Sequence, residues 1–281
     1  MKVLQIIDQV NDDNFTFYDN ANGTILRDFE GFEYPSVRDV IEDVSGIGGA
    51  KYLNSKFGRR TVSWGGDLIS SNVFSLRRDM ISVLRQQGTM KLIKFTTYDD
   101  LNLQFEAEIV KVLNPYNHKV HTFLIEAVAP DWRFYSQTEK TLDTITTFVT
   151  GGGSIPTAVP MSLLTVLDEY QAVNQFAVND GNEATDPILT IYGPGTDFII
   201  GNQTTGKSME INTTISGDEY IEIDVKERTV KLNGLSNIYD SFNGDFFNLE
   251  PGTNQLEFTI QSGIDESTRL HVSWRDAYNG I

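Results

Sequence analysis

Short runs in which apolar and polar side chains alternate strictly, each closed by a turn signal, are the feature that most limits what this chain can fold into. Leu101-Asn102-Leu103-Gln104-Phe105-Glu106-Ala107-Glu108-Ile109 keeps period two throughout. That period puts every second side chain on one face, as a half-buried strand requires. Lys119 to Val128 alternates with more apolar members, and Asn114-Pro115-Tyr116-Asn117 separates the two runs with residues suited to a turn, so they read as a hairpin. Beyond residue 135 the pattern recurs at Ile188–Tyr192, Met209–Asn212, Tyr220–Val225, Thr229–Leu232, Leu256–Ile260 and Leu270–Trp274. Asn233-Gly234 follows the fourth of these runs as a hairpin signal. Seven or more short strands at such spacing predict a β-sandwich.

A single segment breaks the period. From Val73 to Gln87 the apolar positions Val73, Leu76, Met80, Val83 and Leu84 recur at three and four residues, which predicts one amphipathic helix. Ser71 or Asn72 is placed to cap its start, and Gly88 to end it in a left-handed conformation. Arg77, Arg78 and Arg85 fall outside the stripe and read as a solvated face. At 281 residues the chain has room for two domains. The boundary is expected just after Ala129-Pro130-Asp131-Trp132-Arg133-Phe134-Tyr135, giving domains 1–135 and 136–281. Gly151-Gly152-Gly153-Ser154-Ile155-Pro156 reads as a loop inside the second.

Charge narrows the function classes. Against 22 basic residues stand 39 acidic ones, for a net charge of -17. Such a surface repels a phosphate backbone and an anionic membrane alike, so neither nucleic-acid binding nor membrane docking is expected. The chain contains no cysteine, which removes disulfides and thiolate metal sites. No window reaches the roughly 18 apolar residues of a membrane span, and Met1–Asp8 is too short for a secretory segment. A soluble protein with no membrane anchor is the expectation.

The most tempting chemical motif is Gly201-Asn202-Gln203-Thr204-Thr205-Gly206-Lys207-Ser208, which fits the phosphate-binding P-loop pattern letter by letter. That loop works only where its lysine and serine open a helix whose N–H groups converge on phosphate. Here the following Met209-Glu210-Ile211-Asn212-Thr213-Thr214-Ile215 is alternating and β-branched, so a turn between strands is expected and no cofactor. His118 and His121 lie on opposite faces of an extended chain, and His271 is isolated from them in sequence, so no metal site is expected. Asp180-Gly181-Asn182-Glu183 lacks the glycine and terminal acid of a calcium loop. Asp12-Asp13, Asp99-Asp100 and Asp218-Glu219 read as solvated turns. No nucleophile elbow signals a catalytic serine, and no catalytic residues are expected.

Six pieces of the second half occur in a particular order. They are Asn179–Asn182 leading to Asp186–Gly193, Asn202–Gly206, Gly217–Asp224, Val230–Gly234, Phe246–Asn254, and the ending Val272–Ile281. In that order they resemble the C-terminal domain of siphophage distal tail proteins. The first half is similar more loosely, through Val37-Arg38-Asp39-Val40, the lone helix, and Ala129–Tyr135. The resemblance implies a mainly β protein of two β-sandwich-like domains, the first with one α-helix and forming a sixfold ring, the second galectin-like. It also implies a structural virion protein, not an enzyme. Such a hub at the tail tip, assembled in the host cytoplasm, joins the major tail tube protein to tail-tip and baseplate or receptor-binding proteins. Its passage lets DNA through without binding it specifically.

A closed head-to-tail ring needs two complementary patches on each subunit. The glycine-rich polar stretch Ile47–Arg60, with Lys51, Lys56, Arg59 and Arg60, is the candidate loop for reaching an acidic neighbour. The alternative is a carbohydrate-binding sandwich, but the galectin-type His-Asn-Arg and Trp-Gly-x-Glu groups are missing from the sequence.

Overall fold

The computed structural model describes residues 1–43, 50–84, 88–114, 121–145, 173–265 and 267–281. Expectations for Pro115–Asn117, His118, Arg85 and the Gly151–Pro156 stretch fall outside them. The described residues are mainly β with one α-helix, and they form two compact units. Unit 1 comprises Met1–Thr138 together with Ala277–Ile281, and unit 2 comprises Glu139–Asp276.

Unit 1 runs β1 (Val3–Asp8), β2 (Asp13–Tyr18), β3 (Thr24–Glu30), β4 (Val37–Asp43), β5 (Ala50–Phe57), β6 (Arg60–Leu68), α1 (Val73–Leu84), β7 (Met90–Thr96), β8 (Asn102–Leu113), β9 (Thr122–Ala129) and β10 (Phe134–Ser136). Its main sheet has the order β2-β1-β7-β8-β9-β6-β3, so the two ends of the path are strands adjacent in sequence. The hydroxyl of Thr24 at the start of β3 accepts the Tyr18 N–H at 2.7 Å and bridges those ends. The sheet must therefore roll over its own core. That core holds Leu4, Phe17, Phe32, Trp64, Phe95 and Phe134, all at most 2% exposed. Alternation along β1 and β9 (one buried residue in two) is what lets a single sheet line a core on one face and meet water on the other.

The helix packs Val73, Met80, Val83 and Leu84 inward, as the three-and-four spacing predicts. Its expected last turn, residues 85–87, lies outside the described residues, and Gly88 has the left-handed φ of 78° expected after a helix end. β8 and β9 pair antiparallel, the hairpin read from the alternation.

The stretch read as a polar loop, Ile47–Arg60, is corrected by the structure. Ala50–Phe57 is strand β5, paired antiparallel with β4 in a sheet of two strands. Neither segment keeps period two, and the ladder with β4 supplies the backbone partners that a lone polar strand needs. Arg60 already belongs to β6.

Unit 2 runs β11 (Lys140–Ile145), β12 (Val173–Asn179), β13 (Ile188–Tyr192), β14 (Gly195–Asn202), β15 (Lys207–Ile215), β16 (Tyr220–Asp224), β17 (Thr229–Leu232), β18 (Ser236–Asn237), β19 (Phe242–Gly244), β20 (Gly252–Ser262) and β21 (Arg269–Trp274). One sheet has the order β11-β21-β13-β16-β17-β18 and the other β12-β20-β14-β15-β19. Side chains of both sheets share one buried cluster that includes Ile191, Ile223, Phe198, Ile211, Phe258 and Val272. This is the sandwich that the turn spacing predicts. Asn233 and Gly234, at φ 52° and 68°, turn β17 into β18 with both residues left-handed, as the Asn-Gly signal requires.

The chain divides after Thr138 instead of after Tyr135, and its end returns to unit 1. The last strand, β22 (Ala277–Tyr278), pairs with β10, which in turn pairs with β8. Phe134 on β10 is fully buried in the unit 1 core, so that segment cannot belong to the second unit.

Candidate assembly surface

The hairpin β4–β5 carries Lys51 and Lys56, with Arg59 just beyond its end, and sits outside the main sheet. Large apolar residues remain in water along it: Ile41 is 59% exposed and Tyr52 58%. Its root is fixed by the Gly58 N–H, which donates to the Ser36 carbonyl at 2.9 Å, and by the Ser36 hydroxyl, which donates to the Arg59 carbonyl. Phe57 stacks on Trp132 with ring centroids 4.2 Å apart. At this root a concavity of about 570 Å³ is lined by Arg38, Lys56, Phe57, Gly58, Arg59, Val128 and Pro130.

Two of those cations face each other. Arg38 and Lys56 are direct cross-strand partners in the β4–β5 register. Like charges so placed repel. Neither they nor exposed Arg59 has an ion-pair partner among the described residues, in a chain of net charge -17. Lys51 stands opposite Glu42 nearer the hairpin tip.

Arg60, the fourth flagged cation, does different work. Its side chain is buried, and its guanidinium donates four hydrogen bonds, all to main-chain carbonyls. These belong to Trp132 (2.7 Å), Gly31 (2.7 Å), Glu33 (3.1 Å) and Asn279 (2.7 Å). The group also lies 4.1 Å over the Phe134 ring. Burial pushes its pKa down from 12.5 to about 10, against the pull of Glu33 and Asp131, so it stays charged at neutral pH. Arg60 is therefore a tether between three segments of unit 1 and not a free contact. Nothing in the sequence separates it from Arg59; only the alternation of β6 does, by turning one inward.

A second internal polar group was equally invisible. Lys91 Nζ lies 2.7 Å from Asp8 Oδ2, with both side chains buried. Asp8 also accepts the Val10 N–H and the Asn11 side-chain N–H at 3.1 and 2.8 Å, which shapes the turn between β1 and β2. Lys91 lowers the Asp8 carboxyl to about 2, helped by those two donors and opposed by burial.

The remaining candidate motifs fall into place as structure. Lys207 opens strand β15, and residues 203–206 form the turn from β14, closed by the Gly206 N–H donating to the Asn202 carbonyl at 2.8 Å. With a strand where a helix would be needed, no N–H cradle for phosphate forms. His271 Nδ1 lies 2.8 Å from Asp143, and His121 packs edge-on against Phe74. Among the described residues, no group of three or more His, Asp or Glu gathers to hold a metal ion. Asp180 pairs with Lys140 at 2.7 Å, and Glu219 accepts both the N–H and hydroxyl of Ser216.

Comparison with known proteins fixes the second unit. Residues 180–278 match the model of the siphovirus-type tail component, C-terminal domain. Residues 180–278 are thus similar to a phage tail domain. A likeness of fold extends over the rest of the chain. The crystal structure of SPP1 Dit, described as a paradigm of the hub adsorption apparatus in phages infecting Gram-positive bacteria, superposes with a TM-score of 0.62 at 13% identity. That alignment covers 98% of this chain and 99% of the other. A chain of the phage P2 baseplate in its activated conformation aligns over 100% of both chains at 10% identity and a TM-score of 0.48. No curated protein matches the sequence.

Proposed function

We propose that the chain is the distal tail hub of a long-tailed phage. It forms a closed, sixfold ring through unit 1 and joins the tail tube to the tail-tip and baseplate proteins. The observation that carries this reading is the whole-length fold shared with a hub protein, joined to the tail-component domain at residues 180–278. The arrangement of unit 1 supports it. A rolled sheet with a projecting hairpin offers two unlike surfaces, as a head-to-tail ring needs. The role is structural and not catalytic: the titratable groups described above serve turns and tethers.

Six subunits of net charge -17 would surround the passage. Where that charge faces the opening, DNA slides past without adhering. Negative-stain microscopy of the purified full chain tests the proposal. Rings of sixfold symmetry with an open centre are the expected result. A particle that stays monomeric at every concentration up to that of a crowded assembly reaction refutes it.

A further inference from the structure

The trio Arg38, Lys56 and Arg59 has no ion-pair partner among the described residues, and two of the three repel across the ladder. A site that keeps such repulsion in an acidic protein is built for an outside carboxylate. Its concavity is mostly apolar in lining, with Phe57, Val128 and Pro130 beside the cations. The occupant should therefore carry an apolar tip flanked by acids.

Unit 1 itself displays that shape. In the β1–β2 turn Val10 is 69% exposed, and Asp12 and Asp13 are exposed with no cation partner among the described residues. Asp12 adopts φ 55°, and the buried Asp8 holds the turn through the Val10 N–H and Asn11 side chain. Sheet register places knob and socket relative to one another. Met90 stands opposite Glu108, and Glu108 opposite Val128, while β7 lies beside β1 with Leu92 opposite Ile7. The β1–β2 turn and Val128 thus share one end of the rolled sheet. They are three strand spacings apart, about 14 Å along the sheet. Turn and socket are thus two separate patches of one subunit, as a head-to-tail contact between copies needs.

We infer that the socket at the hairpin root takes the Val10–Asp13 turn of a second copy of this chain, with Asp12 and Asp13 neutralising Arg38, Lys56 and Arg59. The inference rests on the ring reading above and names its contact. Charge reversal separates the two. Arg38→Glu with Lys56→Glu, and independently Asp12→Lys with Asp13→Lys, each weakens self-association about tenfold or more in sedimentation at low salt. Combining all four in one chain recovers association to near the original strength, because the pairs are exchanged and not lost. Far-ultraviolet circular dichroism and melting check that each variant remains folded. Reversals that leave association unchanged overturn the contact. So does a four-residue exchange that stays as weak as its parents, which assigns the socket to another acidic segment. A wild-type chain that never associates removes the ring reading, and the contact with it.

Discussion

Replacing Arg60 with methionine measures how much of unit 1 hangs on one buried cation. The substitution keeps much of the side-chain length but strips four carbonyls, of Gly31, Glu33, Trp132 and Asn279, of their donors. Hydrogen bonds from a charged donor contribute about 1.5–3 kcal/mol each in isolation, but bonds to one group do not add, and part of the loss is recovered by water entering. The burial cost of the guanidinium is also relieved. A net loss of about 3–5 kcal/mol is therefore expected, the range for breaking a buried charged cluster on one side. In urea, with a slope of about 2 kcal/mol/M, the unit 1 midpoint falls by about 2 M. Unit 2, which makes none of these bonds, keeps its own transition. Amide exchange should quicken first at Ile281, whose N–H donates to the Phe32 carbonyl beside the tether. Arg60→Lys recovers only part of the loss, since a single ammonium cannot reach the four acceptors that the planar fork spans. A midpoint shift below about 0.5 M, or equal shifts in both units, refutes the tether.

The Asp8–Lys91 pair predicts a pH dependence. Asp8 is lowered from 3.8 to about 2, so its stabilisation is complete above pH 3.8 and is lost as pH falls through 2. Lys91→Met leaves a buried carboxylate unpaired and costs about 3–5 kcal/mol at pH 7; in urea titrations the gap to wild type should narrow below pH 4. A gap that is constant with pH counts against the pair. Gly66→Ala places a Cβ 1.8 Å from the Ile25 carbonyl oxygen, inside the β3–β6 ladder, where backbone cannot yield. A loss of about 2–4 kcal/mol is expected in thermal melts, and a neutral variant would show that the ladder gives way there.

The alternation that sequence displays is a one-dimensional record of a two-faced surface, so strands such as β8, β9 and β16 were legible, and so was the helix, whose spacing is equally local. The β4–β5 hairpin was missed as a hairpin because its apolar and polar residues are mixed without period two and the glycines between its strands suggest a loop. Its like-charged pair, Arg38 and Lys56, becomes visible only once register is known. Arg60 and the Asp8–Lys91 pair were not legible at all. Their partners lie 27 to 219 residues away in the first case and 83 in the second, and no local pattern encodes such distances. The P-loop lookalike was settled by local chemistry, since the β-branched run after Lys207 cannot open a helix.

The return of Ala277–Tyr278 to the edge of β10 also sets an order of events on the ribosome. Every residue of unit 2 is translated before that strand exists, so the second unit can close while the first still waits for its last strand. A nascent chain stalled anywhere in between exposes the edge of β10 and leaves one acceptor of Arg60 missing. Unit 1 is thus completed only after unit 2 has been made, so the two units fold in the reverse of the order in which their first strands are synthesised.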